Sequence, residues 1–246
     1  MHQQLYILLI LVLITLPIMS PNVSSEYEKL EVTYVINLKH RPKRLEVFMR
    51  HRWPFGKPVR IDAVEGASEH HTVSESARYQ LERQRQKGTR MDHREATVGA
   101  VGCYASHVKA WRQCLATSRQ AFVIFEDDAY PDASMSRIRA FVRSMPKGTD
   151  ILLLGALLRN FVPHDSNYAR VYTFMQTHAY VITREAILKL MPFMLPMTQQ
   201  IDWELSDHAA SGTVRIYAPY IALVKQGKYG TDIQLPLEKK HNCVIC

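Results

Sequence analysis

The residues Phe122-Val-Ile-Phe-Glu126-Asp127-Asp128 set four apolar side chains ahead of three consecutive carboxylates. The apolar run reads as a buried strand, so the acids stand at its end. Three adjacent carboxylates repel one another, and a fold that gathers them needs a cation or strong hydrogen bonding to keep them ionised. Mg²⁺ and Mn²⁺ prefer oxygen ligands. Mg²⁺ in particular uses one or two protein carboxylates while water and substrate phosphate fill the remaining positions. The chemistry this predicts is metal-assisted handling of a phosphorylated substrate. Acidic triplets also occur on solvated loops, so the rest of the chain must supply the context.

Other chemistries find no foothold. The chain holds no Gly-x4-Gly-Lys-Ser/Thr phosphate loop, no Gly-x-Ser-x-Gly elbow and no His-Glu-x2-His zinc pattern. Ser206-Asp207-His208 is not a triad, because neighbours in sequence cannot converge as that geometry demands. A metal-dependent nucleotidyl or phosphoryl transferase would use similar acids and stays open at this point. The net charge of +8, from 31 Lys and Arg against 23 Asp and Glu, favours a polyanionic partner. Much of it sits in residues 39–60 and 78–94. Without aromatic interleaving or zinc spacing, nucleic acid is not the expected partner.

The elements that must position the acids alternate. Val32–Leu38 and Val59–Val64 read as strands, with a helix from about Arg44 to His51 between them. The polar stretch from Ala67 to about Glu95 resembles a loop or partly helical excursion of the kind used as an active-site lid. Val101, Tyr104, Val108, Trp111 and Leu115 recur at helical spacing and lead into the Phe122 strand. Ile151–Gly155 and His178–Thr183 read as further strands, Arg184–Met191 as a helix, and Val214–Val224 as a last strand region broken by Pro219. The class this predicts is α/β, a single Rossmann-type mixed, mostly parallel sheet flanked by helices. Ligands in such sheets gather beyond the carboxyl ends of the strands, where the acids lie.

Leu5–Met19 is an apolar run of about 15 residues, short of the roughly 20 that a spanning helix needs. It reads as a signal peptide with cleavage after Ser25, or as an uncleaved signal anchor, and either puts the protein in the secretory pathway. Only a retained segment would touch a membrane, and only then would the sequon at Asn22 be used. Residues 26–238 form the expected domain and 239–246 a tail. Cys103 and Cys114 lie roughly 16 Å apart along one helix, too far to bridge. Cys243 and Cys246 are open to a small disulfide, half a metal site or an unpaired tail.

Four blocks in order resemble glycosyltransferase family 25, which includes lipopolysaccharide and procollagen galactosyltransferases. They are Tyr34–Arg44, Ile61–Gly66, Gly99–His107 and Phe125–Asp128, followed by Ala179–Arg184 and Ile201-Asp202. The resemblance implies a GT-A-like fold and an inverting, metal-dependent transfer of a hexose, galactose in the members just named. The donor is a UDP-sugar, and the acceptor is a hydroxyl of a glycan, lipid or protein. It implies Mn²⁺ or Mg²⁺ on Asp128 and Glu126, and Asp127 on the donor. Asn37, Arg41, Arg44, Asp62 and Ser106 are expected to contact the donor, with Ser106 and His107 opening the helix that faces the sheet. Asp202 is the expected catalytic base, and His107 an expected catalytic contact to sugar or phosphate. Many members carry Glu where this chain has Ala100, which leaves room for a changed substrate or for a non-catalytic sugar-binding protein on the same fold.

Overall fold

In the computed structural model, which describes residues 32–68, 72–229 and 235–237, two α/β halves feed one sheet. In chain order the elements are β1 (Thr33–Asn37), α1 (Pro42–Arg50), β2 (Val59–Asp62), α2 (Glu75–Lys87), α3 (Val98–Leu115), β3 (Ala121–Glu126) and β4 (Ala129–Pro131). After them come α4 (Met135–Arg143), β5 (Ile151–Pro163), β6 (Tyr168–Thr183), α5 (Arg184–Leu190), α6 (Ile201–Ala210), β7 (Ile216–Pro219) and β8 (Val224–Gln226). The six-stranded sheet has the order β2-β1-β3-β6-β5-β7. β1 pairs parallel with β2 and β3, and β5 parallel with β7, while β6 runs against both of its neighbours β3 and β5. This is the mixed, mostly parallel sheet that the alternation of elements predicts.

Alternate residues of the central strands build two cores. Tyr34, Ile36, Phe122 and Ile124 face Tyr104, Val108 and Trp111 of α3 on one side. Val35, Val123 and Phe125 face Phe48 of α1 and Ile138 and Val142 of α4 on the other. With both faces covered, β3 has no solvent side, and this is why its sequence is a continuous apolar run. The strand reaches the surface only at its carboxyl end, at Glu126.

Several sequence expectations need correction. Ser106 and His107 do not open a helix. α3 starts at Val98, where Thr97 Oγ1 accepts the Ala100 amide at 3.0 Å, so both residues lie in its middle, buried against the sheet. Gly99 and Gly102 in the first turns lower local helix propensity and mask that start. The strands at Ile151 and His178 belong to a long hairpin, β5 and β6, whose outer half exposes Leu157, Phe161 and Val162. Register shifts break its alternation, so its period is not readable from sequence. The region Val214–Val224 splits into β7 of the main sheet and β8, which pairs with β4 in a separate ribbon. α4 and α6 have no counterpart among the sequence expectations. The expected signal segment 1–25, the sequon at Asn22, the expected tail 239–246, Cys243 and Cys246 lie outside the described residues.

Candidate active site

The backbone turns sharply where β3 hands over to β4, and Asp127 and Asp128 sit on that turn, both 7% exposed. Asn37, at the end of the neighbouring strand β1, donates through Nδ2 to Asp127 Oδ2 at 2.6 Å and to the Arg41 carbonyl at 3.0 Å. Its Oδ1 accepts from Arg60 Nε at 2.9 Å. Both N–H groups and the oxygen of the amide are therefore engaged within the protein, one N–H on Asp127, and Asn37 does not line the cavity described below. Arg44 of α1 places Nη2 3.1 Å from Asp128 Oδ2 and Nε 3.5 Å from Asp127 Oδ1. β8 closes the other side, where Gln226 Nε2 donates to Asp128 Oδ2 at 3.1 Å and the Gly227 amide donates to the Asp128 carbonyl at 2.7 Å.

One atom is left over. Asp128 Oδ1 is buried and has no hydrogen-bond partner among the described residues. A buried carboxylate oxygen without a donor is expensive. Burial, then the charge of Glu126, pushes the Asp128 carboxyl up to about 7, with Arg44 and Gln226 opposing. An orphaned, hard oxygen beside two further acids is the donor set that a divalent cation fits.

Glu126 is served by a buried chain. Trp111 Nε1 can only donate, so the Tyr180 hydroxyl accepts from it at 2.9 Å and turns its own proton toward His107 Nδ1 at 2.8 Å. This gives Nδ1 the accepting role and leaves the Nε2 proton for Glu126 Oε1 at 3.4 Å. The Thr177 hydroxyl donates to the same oxygen at 2.9 Å. Burial raises the Glu126 carboxyl, but the His107 and Thr177 hydrogen bonds and the neighbouring imidazoles prevail, and it sits below its ordinary value. Cys103, His107 and Glu126 form a group that could hold a metal ion, with ligand atoms within 4.8 Å of one another. Two features weigh against a hard cation there: the Nε2 proton would have to leave, and burial holds the Cys103 thiol well above its ordinary value.

Asp202 is in the first turn of α6. Its Oδ2 accepts the Gln176 amide at 3.1 Å and its Oδ1 accepts the Trp203 amide at 2.9 Å. Gln176 reaches this position at a φ of 76°, a left-handed conformation costing a non-glycine residue ~1–3 kcal/mol, inside an irregular stretch of β6. Burial raises the Asp202 carboxyl, and the backbone amides only partly offset it.

These groups share a cavity of about 1330 Å³. Of the sequence-predicted residues, Glu126, Asp127, Asp128, Arg44, Ser106, His107 and Asp202 line it. Asn37, Arg41 and Asp62 do not. Asp62 is exposed and paired with Arg60. Ser106 is held at both ends, its Oγ accepting the Val64 amide at 2.8 Å and donating to the Gly102 carbonyl at 2.6 Å. That clamp belongs to a close backbone contact, since a Cβ on Gly66 would fall 1.8 Å from the Val98 carbonyl oxygen. Sequence reasoning missed Gln226, Thr177 and Gln176, which carry no motif, and took Trp111 only as core.

A family model described as glycosyltransferase family 25 (LPS biosynthesis protein) matches residues 30–203. The chain belongs to glycosyltransferase family 25. It is therefore a glycosyltransferase. Among solved structures, A197 from STIV is similar over 85% of this chain and 94% of its own, at 11% identity and a TM-score of 0.44. A mannose-1-phosphate geranyltransferase from Thermus thermophilus is similar over 76% and 73%, at 12% identity and a TM-score of 0.34. An apo-UDP-glucose pyrophosphorylase is similar over 48% and 51%, at 10% identity and a TM-score of 0.34. The family 25 chain thus spans about half the length of that last protein.

Proposed function

We propose that this glycosyltransferase moves a hexose, galactose in its most specific form, from a UDP-sugar to a hydroxyl of a glycan, glycolipid or glycoprotein, with inversion and with Mn²⁺ or Mg²⁺. The observation that carries the reading is the buried Asp128 Oδ1, without a hydrogen-bond partner among the described residues, in a cavity that Asp202 also lines. Asp128 and Glu126 would hold the cation, with Asp127 kept in place beside them by Asn37. When bound, the cation neutralises charge on the diphosphate.

The chain's own residues do the rest. Arg44 fixes the two aspartates and brings positive charge to the phosphate side. The chain from Trp111 through Tyr180 to His107 keeps Glu126 ionised and oriented. Asp202 accepts the proton of the acceptor hydroxyl; a raised carboxyl is a better base near neutral pH than an ordinary one. As that proton moves to Asp202, the acceptor oxygen bonds the anomeric carbon from the face opposite the leaving group. The bond to the phosphate oxygen breaks, and its electron pair leaves with UDP. The same reading puts the enzyme in the secretory pathway on the strength of Leu5–Met19.

One feature favours a second reading. Ala100 lines the cavity where many family members carry Glu, so a carboxylate is missing from the wall, as in a domain that binds nucleotide sugar without turning it over. Incubating the full chain with UDP-sugars, Mn²⁺ and a panel of hydroxyl acceptors, with products read by mass spectrometry, separates the two. Hexose transfer that prefers UDP-galactose supports the transferase; metal-dependent UDP-sugar binding without product supports the binding module.

A further inference from the structure

The cavity, at about 1330 Å³, exceeds the roughly 300–1,000 Å³ of ordinary ligand pockets. It has room for more than a donor. Part of its wall is Arg90, a residue outside every motif described above. Arg90 is only 6% exposed, yet its guanidinium is incompletely bonded. Its Nε donates to the Leu235 carbonyl at 2.9 Å, and Nη2 lies 3.4 Å from His93 Nδ1. Nη1 is buried with no hydrogen-bond partner among the described residues. Asp202 lines the same cavity, and the charges of Asp92, Glu95 and Asp202 all act on the Arg90 guanidinium. Arg78 and Lys228 add positive charge to the same cavity.

A desolvated guanidinium with an N–H that finds no partner among the described residues is the side chain best shaped to grip a carboxylate or phosphate through two parallel hydrogen bonds. The donor's diphosphate belongs with Arg44 and the acids, so an anion at Arg90 must come from the other substrate. We propose that Arg90 reads a carboxylate or phosphate on the acceptor, close to the hydroxyl that Asp202 deprotonates, and that the enzyme's acceptors are acidic glycans. This rests on the transferase reading with Asp202 on the acceptor side.

The test uses the full chain, Mn²⁺, the best UDP-sugar and three matched acceptors: a neutral disaccharide, its uronate counterpart and its phosphorylated counterpart. One acidic acceptor should exceed the neutral one in kcat/KM by roughly 10- to 100-fold, the range of a hydrogen bond to a charged group; which of the two wins identifies the anion. Arg90→Gln should bring that ratio close to one, and Arg90→Lys should keep part of it. A ratio within one preparation does not depend on how much of a variant folds. Equal use of all three acceptors, or a preference that survives Arg90→Gln, overturns the inference while leaving transfer intact. Absence of metal-dependent UDP release with every acceptor removes the transferase reading and this inference with it.

Discussion

Asn37 Nδ2 lies 2.6 Å from Asp127 Oδ2, joining the ends of two adjacent parallel strands that are 90 residues apart in sequence. Both N–H donors of that amide and its carbonyl oxygen are engaged, with Asp127, the Arg41 carbonyl and Arg60. Asn37 is thus a positioning residue for a carboxylate. Asn37→Ala should raise the Mn²⁺ concentration for half-maximal activity by roughly 10- to 100-fold, as loss of an outer partner of a ligand does. Activity measured across a Mn²⁺ titration checks this, and an unchanged midpoint contradicts it.

Tyr180→Phe removes the hydroxyl that links Trp111 to His107 and leaves the indole N–H buried without an acceptor. The expected cost is ~1–3 kcal/mol of stability, with a fall in kcat as His107 loses the hydroxyl that orients it toward Glu126. Thermal unfolding and steady-state kinetics of the variant test both parts. A variant with full stability would show that the chain is not coupled.

In the proposed metal site, proton and cation compete for Asp128. Its folded carboxyl is pushed up to about 7, above the ordinary aspartate value of ~3.9, so between those two pH values the folded state binds a proton that the unfolded chain has lost. Metal-free stability from this group is therefore complete below ~4 and is lost as pH rises through about 7. Asp202, also raised, acts in the same direction. Mn²⁺ needs the ionised form, so its affinity should climb as pH rises through 7 and then level off. Calorimetric titration at several pH values would record this, and affinity independent of pH would contradict it.

Asp202→Asn keeps the shape and an acceptor oxygen for the Gln176 or Trp203 amide but removes the proposed base. Transfer should fall by roughly 10²–10⁴-fold, while UDP affinity changes little. Loss of UDP binding in this variant would assign Asp202 to the donor instead.

The acids and the helix behind them were legible because burial leaves a mark on sequence. β3 is covered on both faces, so its apolar run is continuous up to Glu126, and α3 faces the sheet on one side, so Tyr104, Val108 and Trp111 recur at helical spacing. Roles set by long-range contact left no such mark. Nothing local to Asn37 reveals that its amide serves Asp127, and Gln226 meets Asp128 only because β8 pairs with β4. The outer part of the β5–β6 hairpin is irregular and solvent-exposed, which erases its period.

The most direct test is Mn²⁺-dependent UDP release from UDP-sugars by the full chain, beside a variant carrying Asp127→Ala and Asp128→Ala. The account predicts release that requires the cation, favours one UDP-sugar and disappears in a variant that still folds. Release that persists without Asp127 and Asp128, or that ignores the cation, would contradict the assignment of these acids as the metal and donor site.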